Sequence, residues 1–415
     1  MVRSDSKKMK IAFLTLGCKL NYAETSTYER GFREAGMEVV SWRDKADIYL
    51  VNTCSVTQMS DSKSRNLIRK VHRVNPEASI LVTGCSAQLR RNEIEAIEGV
   101  TRVFGCNEKH LVVPETLGRK SECQDTFPAY STGERTRSFL KVQDGCNNYC
   151  AYCTVPYARG ESRNIPICQV VRQAREIAAS GVKEIVLTGV NTGDFGRTTG
   201  ETFLNLLKAL NEVDGIERYR ISSIEPNLIT EEIVDWIASG TKFQPHFHIP
   251  LQTGSDELLR RMGRHYDTAF FRDRISYIRR AMEGSGKPKV FFGIDVMVGL
   301  PGETDELFRG TYDFIKELKP AYIHVFPYSR RPGTPAAEFP DQVRDEVKTE
   351  RVAALEELCK SLHSAFIEEN RGIREKVLFE STDRKGKMEG YTGNYIRIER
   401  PYDPELVGRL TDIVI

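Results

Sequence analysis

The chain has 415 residues, 40% hydrophobic and 28% charged, with 60 basic against 58 acidic side chains and a formal charge of +2. That length calls for about three domains rather than one core, and the composition is that of a folded globular protein, not a disordered or fibrous one. Near-balanced charge neither demands nor excludes a nucleic-acid partner, and with no apolar run of about 18 residues nothing spans a bilayer. The basic start leads into an apolar run, 11–16, too short for a signal peptide and without a small-residue cleavage site, so a cytoplasmic location is expected. In that setting ten cysteines read as metal or redox ligands rather than disulfides.

Taken in chain order, residues 11–15 read as a buried strand and 24–35 as an amphipathic helix stopped by Gly36. A strand at 48–52, a basic helix at 62–74, a strand at 80–83 and a helix at 91–97 follow. Strands alternating with helices imply a parallel, doubly wound sheet, whose ligand crevice lies beyond the carboxyl ends of its strands. A segment rich in Ser, Thr, Glu and Arg, about 120–137, reads as a linker.

Six further strands are expected at 139–142, 184–187, 218–221, 246–249, 290–298 and 322–326, with helices at 170–179, 231–238, 270–282 and 306–318 between them. Six such units make an open (β/α) barrel rather than a closed barrel of eight. A long charged helix at 342–370 comes next, and from Gly372 three β-like runs separated by turns suggest a small antiparallel β-barrel.

The most specific motif is Cys146-Asn-Asn-Tyr-Cys150-Ala-Tyr-Cys153. Three thiolates in one loop can hold three irons of a [4Fe–4S] cube and leave the fourth open. The alternative is zinc, but a structural zinc site wants four ligands and no fourth Cys or His lies within short reach of this loop. A second trio is dispersed. Cys18, Cys54 and Cys85 each follow one of the first three strands, so a parallel sheet brings them to one edge. Gly17 and Gly84 just before two of these thiols let the backbone turn sharply. Three unrelated buried thiols are the alternative, but the repeated strand-end placement favours a second cluster. Cys106, Cys123, Cys168 and Cys359 have no matched partners and read as ordinary thiols.

With these motifs the chain resembles the radical S-adenosylmethionine (SAM) methylthiotransferases along essentially its whole length. Further matches are Val155-Pro-Tyr-Ala-Arg-Gly160, Leu187-Thr-Gly-Val-Asn-Thr192, Ser222-Ser-Ile-Glu-Pro226, His248-Ile-Pro-Leu-Gln-Thr-Gly-Ser255, Asp295-Val-Met-Val-Gly-Leu-Pro-Gly-Glu-Thr304 and Val325-Phe-Pro-Tyr-Ser-Arg-Arg-Pro-Gly-Thr334. The tail resembles the small RNA-binding β-module called TRAM. Cys18-Lys19 and Ser-Ile-Glu-Pro are most similar to the branch acting on N6-threonylcarbamoyladenosine beside the tRNA anticodon. Other branches act on isopentenyladenosine in tRNA or on an aspartate of a ribosomal protein.

The resemblance implies four parts: an N-terminal domain, 8–120, holding the second cluster; a linker, 121–137; a radical SAM domain, 138–370; and a TRAM-like domain, 371–415. It implies two [4Fe–4S] clusters, on Cys146/Cys150/Cys153 and on Cys18/Cys54/Cys85, with SAM as both radical source and methyl donor. It also implies the tRNA anticodon stem-loop as substrate, a flavodoxin or ferredoxin as reductant, and a monomer.

Barrel-end loops carry the candidate SAM contacts Gly189, Asn191, Glu225, Gln252, Ser255 and Val298. Tyr152 either stacks on the adenine of SAM or simply packs. Arg159 and Arg163 either bind the SAM carboxylate or the substrate, or form surface ion pairs. For tRNA, the basic helix bearing Lys63, Arg65, Arg69, Lys70 and Arg73 reads as a solvated face. The tail, with Arg374, Lys376 and Tyr395 beside Arg371, Arg384, Lys385, Lys387, Tyr391 and Tyr402, combines charge with aromatic faces and is the better RNA contact. His248 is expected to be a satisfied histidine without a catalytic role.

Overall fold

The computed structural model describes residues 8–120, 126–132, 136–284, 287–383 and 385–415. Strands β1 (Lys10–Thr15), β2 (Glu38–Val40), β3 (Ile48–Thr53), β4 (Ser79–Gly84) and β5 (Val100–Val103) form one parallel sheet in the order β2-β1-β3-β4-β5. β3 is buried at every position, as a central strand covered on both faces must be. One face packs Tyr28 and Phe32 of the helix Lys19–Glu34, and the other packs Ile68 and Val71 of the helix Gln58–Val74. The chain winds in opposite directions from β1 and β3, so a crevice opens between their carboxyl ends. Cys18 and Cys54 emerge there, and Cys85 opens the short helix after β4. The short strands β2 and β5 were not among the expected ones. Each lies at a sheet edge, mostly half-exposed, and lacks the apolar run that marks a buried strand.

The remaining strands before the tail are β6 (Arg137–Lys141), β7 (Gln143–Asp144), β8 (Arg163–Asn164), β9 (Glu184–Thr188), β10 (Arg218–Ile221), β11 (His246–Gln252), β12 (Phe291–Val298) and β13 (Tyr322–Pro327). Parallel sheets β6-β9-β10 and β11-β12-β13 join through parallel bridges at Tyr219–Phe243 and Ser223–His248. The result is one arc of strands in chain order, backed by helices: the open (β/α) barrel. β7 and β8 pair antiparallel and clamp the two ends of the cysteine loop.

Residues 126–132 of the expected linker are tightly held. Phe127 stacks on Tyr28 at 5.2 Å, Tyr130 bridges antiparallel to Leu140, and Arg30 Nη1 donates to the Tyr130 carbonyl at 2.9 Å. Cys123 lies outside the described residues.

The tail strands β14 (Arg374–Phe379), β15 (Lys387–Tyr391), β16 (Arg397–Pro401) and β17 (Leu410–Val414) form an antiparallel sheet, β16-β15-β14-β17, curled into a half-barrel. The buried guanidinium of Arg220 docks it, donating to the carbonyls of Thr392 and Gly393 at 2.7 Å each while Glu184 accepts from its Nε at 2.9 Å. Tyr395 differs from its expected role as a base-stacking residue. Held at φ 66°, its ring packs between His246 and Tyr391, each 4.9 Å away, and its hydroxyl accepts from Arg137. That ring seats the tail on the barrel. Arg374 and Lys376 stay exposed on β14, beside a cleft also lined by Arg218, Gln244 and Asp412, whereas Arg384 lies outside the described residues.

Candidate functional site

The loop between β7 and β8 gathers Cys146, Cys150 and Cys153 at the carboxyl end of the barrel. Cys153 N donates to the Cys150 carbonyl at 2.9 Å, and Ala151 N to the Met262 carbonyl at 3.0 Å, fixing the loop from inside and out. Burial pushes the Cys146 thiol up to about 11 and that of Cys153 to about 12, and in each case the neighbouring thiols add to the rise. A low-dielectric triad of thiols is poor at holding protons off by itself, and a cationic iron cube bound there would supply the missing positive charge.

Arg264, which the sequence did not single out, faces this loop. Its Nη1 donates to Cys150 Sγ at 3.2 Å, and Nη2 lies 2.8 Å from Glu225. Thus Glu225 already has a charge partner and sits within the electrostatic reach of Cys146. Nearby, the backbone N–H groups of Val190 and Asn191 both donate to Gln143 Oε1 at 2.9 Å. Asn191 Oδ1 and, after β10, Ser222 Oγ are buried with no hydrogen-bond partner among the described residues. Orphaned buried polar atoms are costly, and at the mouth of a site they leave hydrogen-bonding capacity for a ligand. Three thiols in one loop, with these two atoms at the same end of the barrel, fit an iron–sulfur cluster bearing a polar small molecule.

The other expected SAM contacts divide. Gln252 ends β11 in the left-handed region at φ 69°, and Gly189 lies against Gln143. Ser255 caps the helix Asp256–Arg261, and Val298 is fully buried at the end of β12. Tyr152 packs against a cluster built on Leu258, Met262 and Leu300.

Cys18, Cys54 and Cys85 converge as the strand-end pattern implied, and Cys54 lies within electrostatic reach of both others. Gly17, at φ 105°, passes so close that a Cβ there would stand 3.0 Å from Cys54 Sγ. Asn21 ties the loops together: its Nδ2 donates to the carbonyls of Leu16 at 2.8 Å and Thr53 at 2.9 Å. Burial pushes the Cys54 thiol up to about 11. Cys85 goes the other way, to about 6, through a hydrogen bond from Cys106 and the charges of Arg159 and Lys109. The expectation that Cys106 lacks a partner therefore fails. It is a buried free thiol that interacts electrostatically with Cys85, brought there by a turn 21 residues downstream with no local signature. Cys359 hydrogen-bonds Ile323, and Cys168 is exposed on a helix.

Arg159 connects the two trios. It sits on the helix Val155–Arg159 that follows the first loop, yet its Nε donates to Cys85 Sγ at 3.2 Å. Its other nitrogens reach Asp144 at 2.9 Å, Glu24 at 3.2 Å and Asn21 Oδ1 at 2.6 Å. Lys109 and Lys141 also contact Glu24, at 2.7 and 2.9 Å, and all these groups are buried. Arg159 is thus neither a surface ion pair nor free for a SAM carboxylate. Arg163 donates to the Arg159 and Glu161 carbonyls, at 2.7 and 3.1 Å. A further tie is Arg331, whose Nη2 donates to Asp61 at 2.6 Å and to Ser55, beside Cys54, at 2.8 Å.

A model of the radical SAM superfamily matches residues 140–315, and one described as Uncharacterized protein family UPF0004 matches residues 10–105. The threonylcarbamoyladenosine tRNA methylthiotransferase MtaB of Bacillus subtilis is 40% identical across 98% of this chain and 93% of its own length. Its namesake from Aquifex aeolicus is 36% identical across 98% of this chain and its entire 100%. The tRNA-2-methylthio-N(6)-dimethylallyladenosine synthase of Pelotomaculum thermopropionicum is 31% identical, covering 98% and 95%. Among solved structures, the radical SAM methyltransferase TsrM from Kitasatospora setae has a TM-score of 0.58 at 15% identity, over 80% of this chain and 77% of its own.

Fold and cysteine loop therefore define a radical SAM enzyme, which carries a [4Fe–4S] cluster and uses SAM. The chain belongs to the radical SAM methylthiotransferase family. No helix among the described residues is long and apolar enough to cross a membrane.

Proposed function

We propose that this enzyme converts N6-threonylcarbamoyladenosine beside the anticodon of tRNA to its 2-methylthio derivative. The observation that carries the reading is the junction at Arg159, which roots one cysteine trio and hydrogen-bonds the other. A reaction that both activates a ring carbon and delivers sulfur to it needs two such centres facing one cavity. Full-length relatives named for this tRNA nucleoside support the choice of substrate.

In this reading Cys146, Cys150 and Cys153 hold the SAM-binding cluster, and Cys18, Cys54 and Cys85 hold a second [4Fe–4S] cluster. When bound, the first supplies reductive cleavage of SAM and the second presents the sulfur. The protein's own share is to hold and exclude. Asn191, Glu225 and Gln252, with Gly189, Ser255, Val298 and Tyr152 around them, shape the SAM pocket. Arg264 keeps positive charge beside Cys150 and Glu225. The domain limits follow the same division: residues 8–120 for the second cluster, 138–370 for SAM, 371–415 for RNA. Arg374 and Lys376 on the exposed face of β14 track phosphates. A flavodoxin- or ferredoxin-type reductant, a monomeric state and a cytoplasmic setting complete the proposal.

The test is a competition under anaerobic conditions between tRNA bearing threonylcarbamoyladenosine and tRNA bearing isopentenyladenosine. Mass spectrometry of digested nucleosides is expected to show the methylthio adduct on the former. Preferential modification of isopentenyladenosine would overturn the substrate assignment and leave the class intact.

A further inference from the structure

Strands β11, β12 and β13 lie side by side, with Phe247, Ile249, Ile294, Val296 and Ile323 turned into the helix-backed apolar core. Side chains alternate along a strand, so His248, Asp295 and His324 point the other way, into the barrel. The register sets Asp295 directly beside His324, and His248 opposite Gly293. With no side chain on Gly293, the His248 ring has room to lean over β12, where its Nε2 lies 2.7 Å from Asp295 Oδ1. The His248 and His324 rings stack with centroids 5.0 Å apart. One nitrogen of each imidazole and one carboxylate oxygen all lie within 4.8 Å of one another.

Among the described residues His248 is the sole hydrogen-bond or salt-bridge partner of Asp295, and none hydrogen-bonds the His324 ring. The side chains of His248 and Asp295 are each 21% exposed, open enough for an ion to reach them. The trio is separate from the candidate SAM contacts at the barrel rim. Gln252 lies four residues further along β11, and Val298 three further along β12. At about 3.3 Å per residue, the trio therefore sits about 10–13 Å below the strand ends.

We propose that His248, Asp295 and His324 form a site for a divalent transition-metal ion inside the barrel. Two imidazoles and a carboxylate on one side of an ion, with open positions opposite, make a donor set for zinc or ferrous iron. Magnesium and calcium take oxygen ligands, and the two imidazoles count against them. Zinc at about 2.0–2.1 Å from each ligand holds the ligand atoms about 3.4 Å apart. His248 and Asp295 already stand closer than that, and the ion takes the place of the proton between them. His324 has only to turn towards them, and no hydrogen bond holds it back. Two neutral imidazoles and one carboxylate leave the ion a net positive charge. Its remaining positions face the cavity, where water or another oxygen donor completes the shell. This site depends neither on the two thiol trios nor on the substrate reading given above.

The experiment titrates zinc chloride into tag-free, anaerobically reconstituted holoprotein, so that iron occupies the cluster cysteines. Zinc per chain is measured after dialysis, and its coordination shell is read by X-ray absorption at the zinc edge. Wild type, His324→Ala and Asp295→Asn are compared, with Cys168→Ser as the control for an exposed thiol. Iron content and a circular dichroism melt show that each protein is loaded and folded. Wild type and Cys168→Ser are expected to take up about one zinc per chain, in a nitrogen and oxygen shell at about 2.0–2.1 Å, without the sulfur distance of about 2.3 Å. His324→Ala and Asp295→Asn are each expected to weaken zinc affinity by about 100-fold or more, at or beyond the loss of an outer-shell partner. Sulfur in the zinc shell would overturn the site, since thiols would then hold the ion. Unchanged affinity in either variant, or no uptake by wild type, would overturn it as well.

Discussion

Replacing Cys150 by Ala is expected to bring reductive SAM cleavage below detection, measured as 5′-deoxyadenosine released anaerobically with a strong reductant. Cys150 is the buried centre of the loop, it accepts from Arg264, and its carbonyl receives the Cys153 N–H. Losing it removes one of three iron ligands and leaves Arg264 facing a void. Two thiols cannot hold a site-differentiated cube, so on the proposed two-cluster reading iron content should fall by about half, from about eight to about four per chain. The backbone should survive, because β7 and β8 still clamp the loop and the Ala151–Met262 bond does not use the thiol. An intact circular dichroism melt beside a missing product separates the loss of chemistry from unfolding.

Arg159→Met is expected to act on folding instead. The substitution leaves Glu24 and Asp144 buried, with one cation fewer between them. Breaking a buried ion pair on one side costs about 3–5 kcal/mol, because the stranded charge keeps its desolvation penalty. Acid titration gives a second readout. Burial by itself would raise the Glu24 carboxyl, but Lys109, Lys141 and Arg159 together hold it down to about 2. A depressed carboxylate contributes its full stability above the ordinary value, about 4, and loses it as pH falls towards the folded one. Removing Arg159 raises the folded value, narrows that window and weakens what remains. Acid unfolding followed by circular dichroism should therefore begin at a higher pH than in wild type. An unchanged acid midpoint together with an unchanged melt would mean that the network contributes nothing to joining the domains.

Both cysteine trios were legible in the sequence for different reasons. Cys146, Cys150 and Cys153 are neighbours along the chain, so spacing alone announces them. Cys18, Cys54 and Cys85 become neighbours only once three strands are taken as parallel, and alternation with helices licenses that step. What stayed hidden depends on contacts between distant segments. Glu24 meets Arg159 across 135 residues, and Arg264 meets Cys150 across 114. A lone Glu in a helix or a lone Arg in a turn carries no mark of such a meeting. Tyr395 shows the converse: aromatic and basic neighbours in the tail look like an RNA surface, yet the ring is committed to His246 and Tyr391. The strand β15, paired on both sides yet missed in the reading of the tail, has Lys, Glu and Gly where an apolar alternation would have marked it.

The measurement that bears most directly on two trios with two separate jobs is a single-pot comparison of wild type with Cys85→Ala. Anaerobic protein, SAM, a reductant and tRNA carrying threonylcarbamoyladenosine are incubated, and 5′-deoxyadenosine and the methylthio nucleoside are quantified from the same reaction. Separate roles predict that Cys85→Ala still releases 5′-deoxyadenosine while the methylthio product disappears. Methylthio product formed by Cys85→Ala at the wild-type level would contradict the assignment of Cys18, Cys54 and Cys85 to sulfur delivery.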